Sequence, residues 1–510
     1  MRAFSTVLIL AALLVATAVP AAGQAAASGQ TDASPGYYFL LGRHLESERK
    51  IDEAVAAHRK AAELAPASAE VRAELAGLYA RQDRVREALD TAEAAIKIDP
   101  SNREANRILG SILAALGEQR QAFRPGDDPT QYRARAIAAL EKSRRDAGVD
   151  LNLELMLGRL YLQSGNYEKS IFSLRRVVDD QPGYPEAAML MAAAQDGAGR
   201  PEDAIDTLER SLQENPSFFR GLVRLAELYD EQRRFDDAAG SYARAQAANP
   251  RVDLTPQQAS ALINAGKPGE ARDLLQAAVK RKTAPDRALL YLLAQAQRQL
   301  KDTAGAASTA QTLTAAFPDD LRVMYLNAQL LDDAGRKAEA IAAFQDLIKR
   351  APEDATLVYQ YANLLEKGGR TADAERALRD LLARDPLDAN ALNSLGYMFA
   401  ERGERLDEAV DLVQRALKVE PANPSFLDSL GWAYYRQGKL DLADPHLTQA
   451  AGKLPQSSAV QDHLGDLRFK QQRFADALTA WERALAGDGD AIDRAKVEQK
   501  VRDARARMRR

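Results

Sequence analysis

The stretch ANPSFLDSLGWAYYRQGKLDLADPHLTQAAGKLP, residues 422–455, contains the pattern that recurs along most of this chain. It reads as two amphipathic helices joined by a turn at Gly438 and closed by a proline. Its small residues are Gly431 in the first helix and Ala443 and Ala450 in the second. Small residues at these positions let two helices cross closely, so the stretch predicts a helical hairpin.

The small position of the first helix recurs along the chain, mostly at intervals of 34 residues, as between Ala362 and Gly396. The residues at this position are Gly42, Ala76, Gly110, Gly158, Ala192, Ala226, Ala259, Ala294, Ala328, Ala362, Gly396, Gly431 and Gly465. One interval is longer, because Pro182 follows Pro100 by 82 residues, which is 14 more than two periods. The extra residues predict an inserted loop near residues 119–132 that projects from the array.

The composition favours a helical protein and excludes several kinds of chemistry. Helix-forming residues dominate the 510-residue chain, and 69 basic residues against 73 acidic ones give a net charge of −4. A nucleic-acid partner is therefore not expected, since phosphate recognition needs a basic surface. The absence of cysteine excludes disulfides, thiolate metal sites and cysteine nucleophiles.

The N-terminus has the order of residues that is typical of a secretory signal. Arg2 precedes an apolar run at residues 7–19, and small residues follow near Ala22. Residues 1–23 are therefore predicted to be a signal peptide, and residues 24–35 a flexible lead-in. An uncleaved membrane anchor is the alternative, although the run is shorter than the roughly 20 apolar residues of a spanning helix. We expect export to the periplasm, with full secretion as the alternative.

The repeat resembles the tetratricopeptide repeat (TPR) over residues 36–487, because its small residues, turn glycines and closing prolines stay in phase. The resemblance implies an all-α fold, a right-handed superhelical solenoid of about thirteen hairpins whose first helices line a concave groove. A C-terminal helix is expected to cap the array.

The pattern predicts a division of the array. Residues 36–250 form an N-terminal lobe, residues 251–285 an irregular repeat where the array is expected to bend, and residues 286–487 a C-terminal lobe. Residues 488–510 are predicted to be a capping helix with a basic tail.

A groove in the C-terminal lobe is the predicted binding site. Aromatic and amide residues fall three positions before or one position after the small residue of successive first helices, where they suit an extended peptide. Tyr435 and Arg436, which follow Trp432 on the same helix, are added to these positions. The predicted groove residues are Tyr291, Tyr325, Tyr359, Asn363, Asn393, Tyr397, Asp428, Trp432, Tyr435 and Arg436. The alternative is that aromatic residues at helical spacing are core residues.

Residues 391–443 resemble the C-terminal part of exported TPR adaptor proteins of Gram-negative bacteria. The resemblance implies a non-enzymatic scaffold that binds protein or peptide partners and assembles enzymes of the cell envelope. No cofactor and no catalytic residue is predicted, and membrane contact is expected to be peripheral at most. The lipid anchor of some of these adaptors is not carried over, because it requires a cysteine.

Two other functions remain open at this point. The first is a glycan-acting enzyme that uses Asp428, Asp462 and Asp466 as acid and base, since such enzymes work with paired carboxylates. The second is a self-assembling structural array. A metal site is not predicted, because His446 and His463 have no further ligand at a defined spacing.

Overall fold

The computed structural model describes residues 34–119, 121–144, 148–489 and 492–508. The predicted signal peptide and nearly all of the predicted lead-in lie outside these residues. Within the described segments there are 27 α-helices, one short 3-10 helix and no strand. The α-helices form thirteen successive hairpins followed by one further helix, which confirms the predicted all-α solenoid.

The chain divides into two compact units, Met1–Pro216 and Ser217–Arg510. The described helices of the first unit form five hairpins. They are α1 (Pro35–Ser47), α2 (Ile51–Leu64), α3 (Ala69–Arg81), α4 (Val85–Ile98), α5 (Arg103–Gln119), the 3-10 helix (Pro129–Gln131), α6 (Tyr132–Ser143), α7 (Leu151–Gln163), α8 (Tyr167–Asp180), α9 (Pro185–Gly197) and α10 (Pro201–Glu214).

The second unit contains eight hairpins and the terminal helix. Its helices are α11 (Phe219–Glu231), α12 (Phe235–Ala248), α13 (Thr255–Asn264), α14 (Pro268–Arg281), α15 (Arg287–Gln299), α16 (Thr303–Ala316), α17 (Leu321–Asp333), α18 (Lys337–Arg350), α19 (Ala355–Lys367), α20 (Thr371–Arg384), α21 (Ala389–Arg402), α22 (Leu406–Val419), α23 (Pro424–Arg436), α24 (Leu440–Lys453), α25 (Ser458–Lys470), α26 (Phe474–Ala486) and α27 (Arg494–Met508).

Close helix crossings explain the recurring small residues. A Cβ atom on Gly431 of α23 would lie 2.6 Å from Leu447 Cγ and 3.0 Å from the Leu447 backbone nitrogen of α24. Ala443 and Ala450, on the facing side of α24, are fully buried. Consecutive helices of each unit pack in this way, and one cluster of buried side chains extends from α17 to α23.

The turn inside each hairpin needs a residue in the left-handed region. The predicted turn glycines occupy it, with φ of +70° at Gly165, +74° at Gly199, +72° at Gly335, +74° at Gly369 and +79° at Gly438. Other hairpins place residues with a side chain in the same turn. These are Arg49, Asp83, Arg233, Lys301 and Gln472, with φ between +57° and +64°.

The inserted segment after α5 is attached to the array at its start. Arg124 forms ion pairs with Asp90 at 2.5 Å and Glu93 at 2.8 Å, both on α4. The Phe123 backbone N–H donates to the Tyr132 hydroxyl at 2.9 Å. These contacts attach Phe123 and Arg124 to the neighbouring helices, and the projection of the rest of the inserted loop from the array stays a prediction.

The irregular seventh hairpin lies within the second compact unit. Its first helix, α13, has ten residues and carries Pro256 in its first turn. This helix packs against α12, α14 and α15. The predicted bend at residues 251–285, and with it the boundary between two lobes, stays a prediction.

The terminal helix α27 covers the last hairpin. Val497, Val501 and Ala504 are buried in one cluster with Trp481 and Ala484 of α26. Among the described helices, none combines the length and hydropathy that are needed to cross a membrane.

Candidate functional site

The predicted groove residues lie on the first helices of successive hairpins in the second unit. We call the side formed by α19, α21, α23 and α25 the first-helix wall. Contacts join α21 to α23 and α23 to α25. The spacing of 34 or 35 residues between equivalent positions places the side chains of each column next to one another along this wall.

A pocket of about 310 Å³ opens in the wall between α19 and α21, and we call it the wall pocket. The structure brings four of the predicted residues together here. The lining residues are Tyr359, Gln360, Ala362, Asn363, Glu366, Leu378, Asn393, Ser394, Tyr397 and Met398. The pocket therefore combines two phenol rings with four neutral polar side chains and one carboxylate.

The cap of α21 fixes the rim of the wall pocket. Asp388 caps the helix by accepting a hydrogen bond from the Ala391 backbone N–H at 2.8 Å. The same carboxylate accepts a hydrogen bond from the Tyr359 hydroxyl at 2.6 Å. Burial is the largest cause that raises the pKa of Tyr359, and the hydrogen bond to Asp388 and the charge of that carboxylate raise it further. The Tyr359 ring is thereby held in place and stays protonated.

The wall pocket also contains hydrogen-bonding capacity that the protein leaves unused. The Asn393 Oδ1 atom is buried and has no donor among the described residues. Leaving a buried acceptor without a partner costs about 1–3 kcal/mol, which a ligand donor would recover. An N–H group of a bound chain is the simplest such donor.

Glu366 is the pocket residue that the sequence reasoning missed. It is half-buried, lies three residues after Asn363 on the same helix, and forms no ion pair within the described part of the chain. Burial raises its pKa, with smaller effects of Arg402, which lowers it, and Glu401, which raises it. The helical spacing from Tyr359 and Asn363 was the signal that could have identified it.

Tyr291 and Tyr325 belong to a different part of the second unit. Both line a separate pocket of about 310 Å³ that also includes Arg322 and Asp354. The Tyr325 ring meets Phe344 edge to face, with ring centroids 5.9 Å apart. The structure therefore does not place these two tyrosines in the wall pocket.

Asp428 and Trp432 are buried in contacts inside the protein. Asp428 is 6% exposed, and its carboxylate lies 2.9 Å from Nδ1 of His463 on α25. Trp432 is 7% exposed and stacks on His463 with ring centroids 4.0 Å apart. Trp432 Nε1 donates to Glu401 at 2.8 Å. Asp428 and Trp432 are therefore both buried beside His463, and their predicted contact with a ligand stays a prediction.

The surroundings of His463 favour its protonated form. Burial alone would lower its pKa, but the charge and hydrogen bond of Asp428 outweigh burial and raise the pKa above its ordinary value. The His463 ring lies in an aromatic environment, since it stacks on Trp432 and its centroid is 6.2 Å from that of Tyr397.

Tyr435 and Arg436 extend this cluster toward solvent. The Tyr435 ring stacks on Trp432 with centroids 4.8 Å apart. The Arg436 guanidinium lies 5.7 Å from the Trp432 ring centroid and donates to the backbone carbonyl of Glu401. Both side chains are half-buried, so part of each remains open to a partner.

The terminal helix supplies a cation to the last part of the wall. Lys500 Nζ lies 2.8 Å from Asp462 Oδ1 and 2.7 Å from Asp466 Oδ1 on α25. Burial raises the pKa of Asp466, and Lys500 partly offsets this. Trp481 Nε1 donates to Asp466 at 3.2 Å.

The two C-terminal histidines do not meet at one site. His446 stacks on Tyr434 with centroids 6.0 Å apart, whereas His463 contacts Asp428 and Trp432. Among the described residues, no group of three or more histidine and carboxylate side chains could hold a metal ion.

Comparison with known proteins identifies the repeat. A family model for the tetratricopeptide repeat matches residues 155–217, 257–321, 291–355, 325–375, 359–425, 400–458 and 429–493. A second model of the same repeat matches residues 45–118 and 197–261.

Two relatives match short segments of the sequence, and one solved structure matches a longer part of the chain. A TPR repeat-containing protein of Pseudomonas aeruginosa is 47% identical over 76 residues, which is 15% of this chain and 13% of that protein. One of Methanocaldococcus jannaschii is 32% identical over 75 residues, with the same shares. A crystal structure of a TPR protein from Parabacteroides merdae has 15% identity and a TM-score of 0.42, and the match covers 49% of this chain and 97% of that chain.

Proposed function

This chain belongs to the tetratricopeptide repeat family, and on that basis we propose that it is a non-enzymatic scaffold that binds an extended segment of a protein partner in the wall pocket. The observation that carries the proposal is Asn393 Oδ1, a buried acceptor without a donor among the described residues, in the pocket that Tyr359 and Tyr397 also line.

The wall pocket has what an extended peptide needs. Its amide side chains can exchange hydrogen bonds with peptide N–H and C=O groups, which recur at every residue of a bound chain. Tyrosine rings bury partner side chains at a low cost in conformational entropy, because they have few rotatable bonds. Tyr359 is already fixed by Asp388, so less of its freedom is lost on binding.

The contacts of the wall carboxylates support a scaffold over the glycan-acting enzyme. Asp428 is paired with the buried His463, and Asp462 and Asp466 share Lys500. An acid and base pair for glycan cleavage must instead flank a substrate with both carboxyl groups accessible.

Binding should depend on the open side chains of the wall pocket. The combined change Gln360→Ala, Asn363→Ala and Ser394→Ala removes polar contacts without touching the buried Trp432. Partners recovered by pull-down with the full chain from its host, and identified by mass spectrometry, are expected to bind this variant at least about tenfold more weakly.

The matched control changes the same hairpins on their second helices, with Arg376→Ala, Asp380→Ala and Asp411→Ala. All three positions are exposed, and this variant should bind like the wild type. Equal affinity of the pocket variant and the wild type, with helicity unchanged in both, would show that the partner binds elsewhere.

Export to the periplasm, and the assembly of envelope enzymes there, are further parts of the proposal. They are supported by the charged and apolar order of residues 1–23 and by the resemblance of residues 391–443 to exported adaptors. Protein purified from the host's periplasmic fraction should begin between Ala22 and Ala27. A chain that keeps Met1 and fractionates with the cytosol would contradict export.

A further inference from the structure

We propose that the wall pocket selects a cationic side chain, a lysine or an arginine, within the extended segment of the partner. This inference rests on the proposed function and names the chemistry of the partner at the same site. It follows from the acceptors that line the pocket and from how the rest of the wall neutralises its carboxylates.

The pocket offers acceptors with no cation among them. Glu366 contributes a half-buried carboxylate, and Asn393 contributes a buried oxygen that has no donor within the described residues. The amides of Gln360 and Asn363 and the hydroxyl of Ser394 add neutral acceptors, and lysine and arginine are absent from the lining residues. An ammonium or guanidinium group donates several hydrogen bonds and would satisfy these oxygens together.

The charges of four carboxylates act on Tyr397, a ring that lines the pocket. Burial raises the pKa of Tyr397, and the charges of Glu401, Asp428, Glu366 and Asp462 raise it further, in that order. Of these carboxylates, Glu366 lines the pocket together with Tyr397 and forms no ion pair among the described residues. A cation that enters there is favoured, whereas a partner carboxylate is repelled.

Only some of these carboxylates have an internal cation. His463 pairs with Asp428, and Lys500 pairs with Asp462. Arg402, the cation whose charge acts on Glu366, is paired with Glu404 at 2.6 Å. Glu366 and Glu401 therefore remain without an ion pair in the described part of the chain.

The last part of the wall shows how an ammonium group is bound by this surface. Lys500 Nζ sits between Asp462 and Asp466, and it lies 5.8 Å from the centroid of the Trp481 ring. The wall pocket repeats this combination of carboxylate, polar oxygens and aromatic ring, and no lysine or arginine is among the described residues that line it. A side chain of the partner would complete it.

Selection from a random peptide library displayed on phage tests the inference directly. The full chain is the bait, and Glu366→Gln is the test variant, since it removes the charge and keeps the shape of the side chain. Wild-type selections are expected to enrich peptides with lysine or arginine at one fixed position. Synthetic copies should bind Glu366→Gln about tenfold more weakly, and copies with norleucine in place of the basic residue should lose affinity for the wild type.

The control is Asp380→Asn, which removes one negative charge from the exposed second helix of the same hairpin. It should bind the selected peptides like the wild type, and an equal loss for both variants would overturn the inference by showing a non-specific charge effect. Enriched peptides that need Asn363 but no basic residue would overturn the inference and leave the proposed function intact. Peptides unaffected by any pocket variant, or no enrichment at all, would contradict both.

Discussion

Gly431 shows at the scale of one residue how the repeat pattern limits side-chain size. Its missing Cβ leaves the space in which α24 crosses α23, with Leu447 directly opposite. Gly240 in the middle of α12 has no such neighbour, since a Cβ there would meet nothing within 4 Å.

The two glycines should therefore respond to alanine in opposite ways. Gly431→Ala forces α23 and α24 apart and is expected to destabilise the second unit by about 1–3 kcal/mol. Gly240→Ala replaces a poor helix former in an exposed position and should stabilise by about 1 kcal/mol. Urea unfolding followed by circular dichroism measures both, and shifts of the same sign would contradict the crossing geometry.

The Asp428 and His463 pair predicts a pH dependence. The folded pKa of His463 is raised above the ordinary 6.5. Its contribution to stability is therefore fully present below pH 6.5 and is lost as the pH rises through the folded pKa. Asp428→Asn leaves burial as the dominant effect, so the His463 pKa should fall below 6.5 in that variant.

Nuclear magnetic resonance of the imidazole protons tests this prediction. The His463 signal is assigned by its disappearance in His463→Gln. A titration midpoint above 6.5 in the wild type and below 6.5 in Asp428→Asn is expected. An unchanged midpoint would show that Asp428 does not hold the proton on His463.

Sequence reasoning identified part of the candidate site at this scale. Tyr359, Asn363, Asn393 and Tyr397 occupy one pocket because their column positions follow directly from the repeat. Trp432 is buried, as the alternative of aromatic core residues expected, but its stacking on His463 of the next hairpin could not be predicted. Contacts between repeats are set by side-chain packing, which a repeat pattern does not specify.

The terminal helix α27 is the element whose removal has the clearest expected effect. Within the described residues, α27 is not part of a hairpin. It packs on α26 through Val497, Val501 and Ala504, and its Lys500 forms an ion pair with Asp462 on α25. In a solenoid each repeat is stabilised mainly by its neighbours, so loosening the end should affect the last hairpin first.

The change Val501→Asp places an unpaired charge in this contact and should detach α27. Hydrogen exchange in α25 and α26 is expected to rise, whereas exchange in α19 to α22 should stay the same. Arg502→Asp introduces the same side chain at an exposed neighbouring position and serves as the control. Unchanged exchange in α25 and α26 after Val501→Asp would show that α27 is not a structural cap.

At the scale of elements, the repeat predicted all hairpins, because the small residues and prolines mark each crossing and each end. It did not predict that Arg233 and Lys301 occupy left-handed turns that glycine fills elsewhere. Packing of the two flanking helices imposes the turn there and outweighs a local cost of about 1–2 kcal/mol. An insertion near residues 119–132 was expected from the interval between prolines, but the contacts of Arg124 with α4 could not be predicted from the repeat.

In the whole molecule, we infer that different parts of one repeat array have different roles. Second helices and buried small residues hold the hairpins together, and the first-helix wall of the second unit offers the wall pocket to a partner. The family assignment fixes the kind of fold, while our proposal places binding where Asn393 lacks a donor and Glu366 lacks an ion pair among the described residues.

Site-specific photo-crosslinking in the native host tests this central claim most directly. A benzophenone amino acid is placed at Gln360, which is exposed at the wall pocket, or at Arg376 on the second helix of the same hairpin, whose side chain is 71% exposed. We predict that the partner protein is crosslinked from position 360 and not from position 376. Crosslinking from position 376 alone, or equally from both positions, would contradict the claim that the first-helix wall binds the partner.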